Sequence, residues 1–250
     1  MRKNIITLIL SITTIFSYSQ KSYFTSIADA ISHSEDVVIL DLSNNNLLAF
    51  PDIVYQLPNL VSLNLSNNKI DKVPNDIYKL SKLQDLVLNN NGIKELPENI
   101  GQLSNLINFS ISNNKLSTLP NSFPNLQKLE YLSLLGNNFL TIPEQVCKIK
   151  SLKKLDLSSN NFSQIPDLCV KNLTNLEFLY LAHNKFVEFP KNIASLESLI
   201  FLELDDNQIS NIPKEITQLK HLKFLYLANN NLTEFSPNLT KISSLIHLFL

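Results

Sequence analysis

Few residues in this 250-residue chain have the means to do chemistry, and they are scattered. His33, His183, His221 and His247 stand without ligand spacing, so no metal is expected. Asp205, Asp206 and His183 offer carboxylates and a base. Hydrolysis also needs a nucleophile or paired carboxylates with an orienting partner in a cleft that excludes water, and no such set is legible. Three glycines leave no phosphate-cradling loop, and Arg2 is the only arginine, so bidentate guanidinium recognition is missing beyond the first residues. A formal net charge of -1 gives no basic face for displacing counterions from phosphates, which argues against nucleic acid as partner. The chain is therefore read as non-enzymatic, with no cofactor. The residue types left for binding are aromatic.

What positions those aromatics is a repeat. Leu60, Leu83, Leu106, Leu129 and Leu152 follow one another at steps of 23 residues; Leu176 comes after 24, and Leu199, Leu222 and Leu245 resume the step of 23. Val37 fits one step before Leu60. Each unit reads Leu-x-x-Leu-x-Leu-x-x-Asn-x-Leu, as in Leu60, Leu63, Leu65, Asn68 and Ile70, then an apolar residue and Pro such as Val73-Pro74. That makes nine full units and the start of a tenth. The period of two along a strand sends Leu63 and Leu65 to one side, into a core, and their neighbours outward.

This pattern resembles the leucine-rich repeat family, in its 23-residue subclass with a Leu-Pro or Ile-Pro step, found in Ras-suppressor-like proteins and in many bacterial secreted proteins. The resemblance covers residues 37–250. It implies an α/β solenoid, curved, with a parallel sheet on its concave face. The Pro column, Pro51, Pro74, Pro97, Pro120, Pro143, Pro166, Pro190 and Pro213, is expected to open a short helical or 3₁₀ turn on the convex side, because a helix start has no use for the missing N–H. Repeat nine departs with Phe235-Ser236-Pro237, which suggests a looser turn.

Asn45, Asn68, Asn91, Asn114, Asn137, Asn160, Asn184, Asn207 and Asn230 stand where the chain leaves each strand. An amide there can donate and accept to backbone groups that would otherwise be buried unpaired, so this column is read as a structural ladder. Asn113, one residue before Asn114 and outward, is expected to tolerate alanine.

The outward strand positions form the candidate surface. Along the first six strands they read Ile39/Asp41, Ser62/Asn64, Asp85/Val87, Asn108/Ser110, Tyr131/Ser133 and Lys154/Asp156, a mixed and mostly small polar face. The last four read Phe178/Tyr180, Phe201/Glu203, Phe224/Tyr226 and His247/Phe249. With parallel strands about 4.8 Å apart, these rings should merge into one patch edged by His183, Lys185, Asp205 and Asp206. Phe178, Tyr180, Phe201, Glu203, Phe224 and Tyr226 are the candidate ligand-binding residues for a protein or peptide on the concave face, since aromatic anchors dominate protein recognition. The alternative is that these rings shield the sheet and pack across strands.

Cys147 and Cys169 both fall on the convex side of neighbouring repeats. An exported protein could join them, but a bridge needs Cα atoms within roughly 7 Å and curvature spreads convex segments, which weighs toward two separate packing residues.

The ends carry the remaining expectations. Met1-Arg2-Lys3, the apolar run Ile5 to Phe16 and Ser17-Tyr18-Ser19 read as a signal peptide over residues 1–19, with Gln20 first in the exported chain. Losing Arg2 and Lys3 with no acid takes the formal charge from -1 to -3. No transmembrane segment is expected after its removal. Residues 20–36 are read as an N-terminal capping helix, from Tyr23, Phe24, Ile27, Ala28, Ala30 and Ile31 at helical spacing. No C-terminal cap follows Leu250, which reads as a fragment. The leading function is an exported or cell-surface binding module, in an organism whose Lys-, Asn- and Ile-rich usage looks like a low-GC bacterium. The alternatives are an adhesive envelope array, a recognition arm for an enzyme or sorting domain beyond Leu250, and an intracellular scaffold if residues 1–19 do not direct export.

Overall fold

A computed structural model describes residues 22–250. The export segment read in residues 1–19 lies outside them. Eleven parallel strands follow one another in chain order in a single sheet. They are β1 (Tyr23–Phe24), β2 (Ile39–Asp41), β3 (Ser62–Asn64), β4 (Asp85–Val87), β5 (Asn108–Ser110), β6 (Tyr131–Ser133), β7 (Lys154–Asp156), β8 (Phe178–Tyr180), β9 (Phe201–Glu203), β10 (Phe224–Tyr226) and β11 (His247–Phe249). The register follows the repeat: Leu40, Leu63, Leu86, Phe109, Leu132, Leu155, Leu179, Leu202, Leu225 and Leu248 are partners across the sheet. The first nine of these are buried, and with the convex leucines and isoleucines they form one continuous core.

The proline column acts differently from the expected helix start. Each of the eight prolines sits before the turn rather than in its first position, and its carbonyl accepts the amide three residues on. Ile77 N–H to Pro74 O at 3.2 Å and Cys169 N–H to Pro166 O at 2.9 Å are examples. Fixed φ in an extended conformation, as at Pro74 (φ -74°, ψ 157°), aims that carbonyl at the turn. In repeat nine the Ser236 carbonyl takes this place, accepting from Leu239, and Phe235 is left exposed.

The convex turns are 3₁₀ throughout except in the 24-residue repeat, where the extra residue is absorbed by an α-helix, Asp167–Asn172. That helix overturns the expectation for the cysteines. Cys147 and Cys169 form a disulfide with Cα atoms 4.2 Å apart. Both are buried, because the helix turns Cys169 inward over the Val146–Lys148 turn instead of letting curvature carry it away.

Eight of the nine ladder asparagines lie between repeats. Asn114 is representative: its Nδ2 donates to the carbonyls of Leu88 (2.9 Å), Ile111 (3.2 Å) and Ser112 (3.1 Å), and its Oδ1 accepts the Ile93 amide at 3.0 Å. Asn45 is the exception. It is exposed and, among the described residues, its Nδ2 donates to Ser43 O at 3.1 Å, whereas Asn68 also reaches the Leu42 carbonyl 26 residues upstream.

The residue before each ladder asparagine has a left-handed backbone, from Asn44 (φ 61°) to Asn229 (φ 56°), with Gly136, Ser159, His183 and Asp206 among them. Asn and Gly recur there because they enter that region at low steric cost.

At the N-terminal end, residues 22–36 divide between two elements. β1 extends the sheet by pairing with β2. A six-residue helix, Ile27–Ser32, follows, capped by the Ser26 hydroxyl on the Asp29 amide and burying Ala30.

Candidate functional site

The concave wall divides into two halves of different chemistry. On β2 to β6 the outward side chains are tied to one another. Ser112 and Ser133 hydroxyls meet at 2.7 Å, Asn89 Oδ1 accepts from Ser110 Oγ (2.8 Å) and the Ser112 amide (2.7 Å), and Asn108 Nδ2 donates to Asp85. Several positions expected to face solvent are consequently covered: Ser110 and Ser133 are buried, and so is Ile39 on β2, whose β1 partner Tyr23 reaches Asp41 Oδ2 at 3.4 Å. Burial raises the pKa of the Asp85 carboxyl, against the hydrogen bond from Asn108, which lowers it.

From β7 onward the wall is aromatic. The sheet brings the six candidate residues together: Phe178, Phe201 and Phe224 are register partners, as are Tyr180, Glu203 and Tyr226, and all six are half-buried. Phe201 leaves its own row. Its centroid is 6.2 Å from both Phe178 and Phe224 but 4.8 Å from Tyr180 and 5.2 Å from Tyr226, so it stands between the two tyrosines. Tyr226 in turn stacks on Phe249 at 4.4 Å, and Phe224 on His247 at 5.1 Å. Tyr180, Phe201, Tyr226 and Phe249 thus form a ring column at the strand repeat of about 4.8 Å.

The column continues further toward the N-terminus than the spacing of aromatics indicates. Lys154 on β7 is 9% exposed, with its Nζ 5.1 Å from the Tyr131 centroid and 5.3 Å from that of Tyr180. An ammonium in this position takes the place of a ring and is attracted by both faces. Burial lowers the Lys154 pKa while the negative charge of Asp156 works the other way. Burial pushes the Tyr131 phenol up to about 12, helped by Asp156. The Tyr180 phenol is raised by burial first, then by the charges of Asp156 and Glu203. At the expected edge of the patch, His183 Nε2 lies 3.3 Å from Asp206 Oδ2, and Asp205 Oδ1 accepts the Ala228 amide at 2.8 Å.

Among the described residues no cluster of three or more His, Cys, Asp or Glu is arranged to hold a metal, and no helix is long and apolar enough to cross a membrane.

Family models of leucine-rich repeats match the chain over residues 31–156, 150–209 and 221–242. The chain belongs to the leucine-rich repeat family. No curated protein sequence matches it. Among solved leucine-rich repeat structures it is similar to the ectodomain of the Arabidopsis thaliana receptor kinase GASSHO1/SCHENGEN3 in complex with Casparian strip integrity factor 2, at 31% identity and TM-score 0.71 over 90% of this chain and 28% of that one. It is also similar to the Arabidopsis receptor kinase HAESA in complex with the peptide hormone IDA and the co-receptor SERK1. There the identity is 37% and the TM-score 0.71, over 84% of this chain and 37% of that one. A TLR13–ssRNA13 complex matches at 28% identity and TM-score 0.75, over 86% and 32%. The leucine-rich repeat chain described here spans about a third of the length of each.

Two features of this leucine-rich repeat wall were not drawn from sequence. Tyr131 and Lys154 occupy outward columns that read in sequence as part of a small polar face, although their place directly before Phe178/Tyr180 is a signal for the aromatic half. The left-handed column was hidden because Asn, Gly, Ser, His and Asp share no chemistry beyond tolerance of positive φ.

Proposed function

We propose that this leucine-rich repeat chain is a non-catalytic recognition module, exported from the cytoplasm, that binds a protein or peptide across the concave face of β8 to β11. The observation that carries the reading is the unbroken ring column through Tyr180, Phe201, Tyr226 and Phe249 on an open sheet. Contiguous aromatic surface with charged neighbours is the usual form of a partner site, while apolar residues scattered singly over a surface call for no such reading. Two of the similar ectodomains were solved with a peptide or protein partner, which supports the same use here. Nucleic acid is not the proposed ligand: carboxylates at Asp156, Glu203 and Asp206 surround the rings and repel a polyanion, although TLR13 was solved with an RNA.

Export is supported by the Cys147–Cys169 bridge, since disulfides persist mainly in oxidising compartments. Protein recovered from its native host should begin at Gln20 outside the cytoplasm. An intact Met1 in the cytosol, found by N-terminal sequencing, overturns this and favours an intracellular scaffold. The same module serves equally as the recognition arm of a longer protein, a reading favoured by the greater length of the similar ectodomains.

The binding surface is tested once a partner has been isolated by cross-linking in the native host. Phe201→Ala with Tyr226→Ala should weaken the complex tenfold or more, about 1.4 kcal/mol. Ser62→Ala on β3 should leave affinity unchanged; it is the better control because Ser110 and Ser133 are buried. The reverse ranking, with circular dichroism unchanged, moves the site to the N-terminal repeats.

A further inference from the structure

Resting on that reading of the concave face, the arrangement of its charges says what kind of peptide fits. Across β7 to β10 one outward row reads Asp156, Tyr180, Glu203, Tyr226, so that carboxylates and phenol rings alternate from strand to strand. Two carboxylates two strands apart are separated by about 9.6 Å at their Cα atoms. Polyproline II helix has three residues per turn and rises about 3.1 Å per residue, so side chains three apart emerge on the same side about 9.3 Å apart. The two spacings agree. A β-strand ligand does not match, because side chains on one face of a strand repeat at about 6.7 Å.

We propose that the concave face over β7 to β10 binds an extended, proline-rich segment in polyproline II conformation, with basic side chains three residues apart directed at Asp156 and Glu203. Prolines between the basic residues then lie against Tyr180, and those after the second basic residue against Tyr226, as apolar rings pack on aromatic-lined grooves. The charge is complementary. Asp156 and Glu203 together place Tyr180 in a negative field. Asp206 stands at the edge beside His183, and the cation within the rows, Lys154, is buried between the rings of Tyr131 and Tyr180. Both carboxylates also engage groups of this chain, as Asp156 Oδ1 does in accepting the Ser158 amide at 3.0 Å, and the ligand's basic side chains add to those contacts.

The test uses the whole chain and three fluorescein-labelled peptides: Arg-Pro-Pro-Arg-Pro-Pro, Arg-Pro-Arg-Pro-Pro-Pro and Asp-Pro-Pro-Asp-Pro-Pro. Fluorescence anisotropy should show the first binding at least fivefold more tightly than the second and the third not at all, with affinity falling as salt rises. Glu203→Gln, and separately Asp156→Asn, should remove the preference of the first over the second. Phe201→Ala should weaken both basic peptides. Equal binding of the first two with no effect of Glu203→Gln, or tighter binding of the acidic peptide, overturns the proposed ligand while a loss on Phe201→Ala upholds the concave site. Binding that follows Glu203 but ignores Phe201→Ala removes the aromatic reading instead. No binding of any peptide at 1 mM overturns the ligand proposal outright.

Discussion

Asn114→Ala is expected to destabilise the protein by about 2–3 kcal/mol in urea unfolding, out of all proportion to its one truncated amide. The carbonyls it serves are shared. Leu88 O also accepts from Asn91, Ile111 O from Asn137, and Ser112 O from the Asn90 amide, so each keeps a donor. The Ile93 amide accepts no such help: Asn114 Oδ1 is its acceptor, inside the solenoid, and truncation leaves a buried N–H unpaired. A buried donor without an acceptor costs its full desolvation penalty, and the alanine adds a void where the amide was. The natural control is the residue before it. Asn113 was expected to tolerate alanine because it faces outward, but its φ of 54° places an alanine in a left-handed conformation costing roughly 1–2 kcal/mol. Asn113→Gly is therefore the informative comparison. It gives up one exposed hydrogen bond, to Asn90 Oδ1, and should change stability by no more than about 0.5 kcal/mol. Equal losses for Asn114→Ala and Asn113→Gly would show that the ladder does not carry the energy assigned to it.

Opening the Cys147–Cys169 bridge should cost about 3 kcal/mol, the loop-closure entropy of a cross-link between residues 22 apart. The double substitution Cys147→Ala with Cys169→Ala measures this most directly, since both sulfurs are buried and alanine leaves no thiol to ionise or oxidise. Its urea midpoint should fall and the slope should rise somewhat, because the unfolded chain without the cross-link is less compact and exposes more surface. Treating the parent with a reductant under denaturing conditions should release two thiols, and none before reduction. Two titratable thiols in unreduced protein, or a double variant as stable as the parent, would sink the assignment. The bridge joins the two convex turns at the one place where the repeat length changes, so its loss should show first as local opening of the Asp167–Asn172 helix in hydrogen exchange.

The solenoid was legible in the sequence because a repeat protein turns one dimension into three by translation. Each unit contacts its neighbours, so a step of 23 residues becomes a strand register with Leu63 opposite Leu86 and Asn68 one turn from Asn91. The inward or outward sense of every strand residue followed from the period of two, and with it the gathering of Phe178, Tyr180, Phe201, Glu203, Phe224 and Tyr226 on one wall. Side-chain depth did not follow. Ser110 and Ser133 face the same side as Phe201 yet are covered, because hydroxyls and amides from adjacent strands close over one another, and no single-strand pattern contains that neighbour relation. The turn of Phe201 between two tyrosines, and the seat of Lys154 between Tyr131 and Tyr180, are rotamer choices made against partners 23 or more residues away. The disulfide is hidden in the sequence for a related reason. Average curvature separates convex turns, but one extra residue after Leu152 changes a 3₁₀ turn into an α-helix, and only the packed structure decides which way that helix points its cysteine.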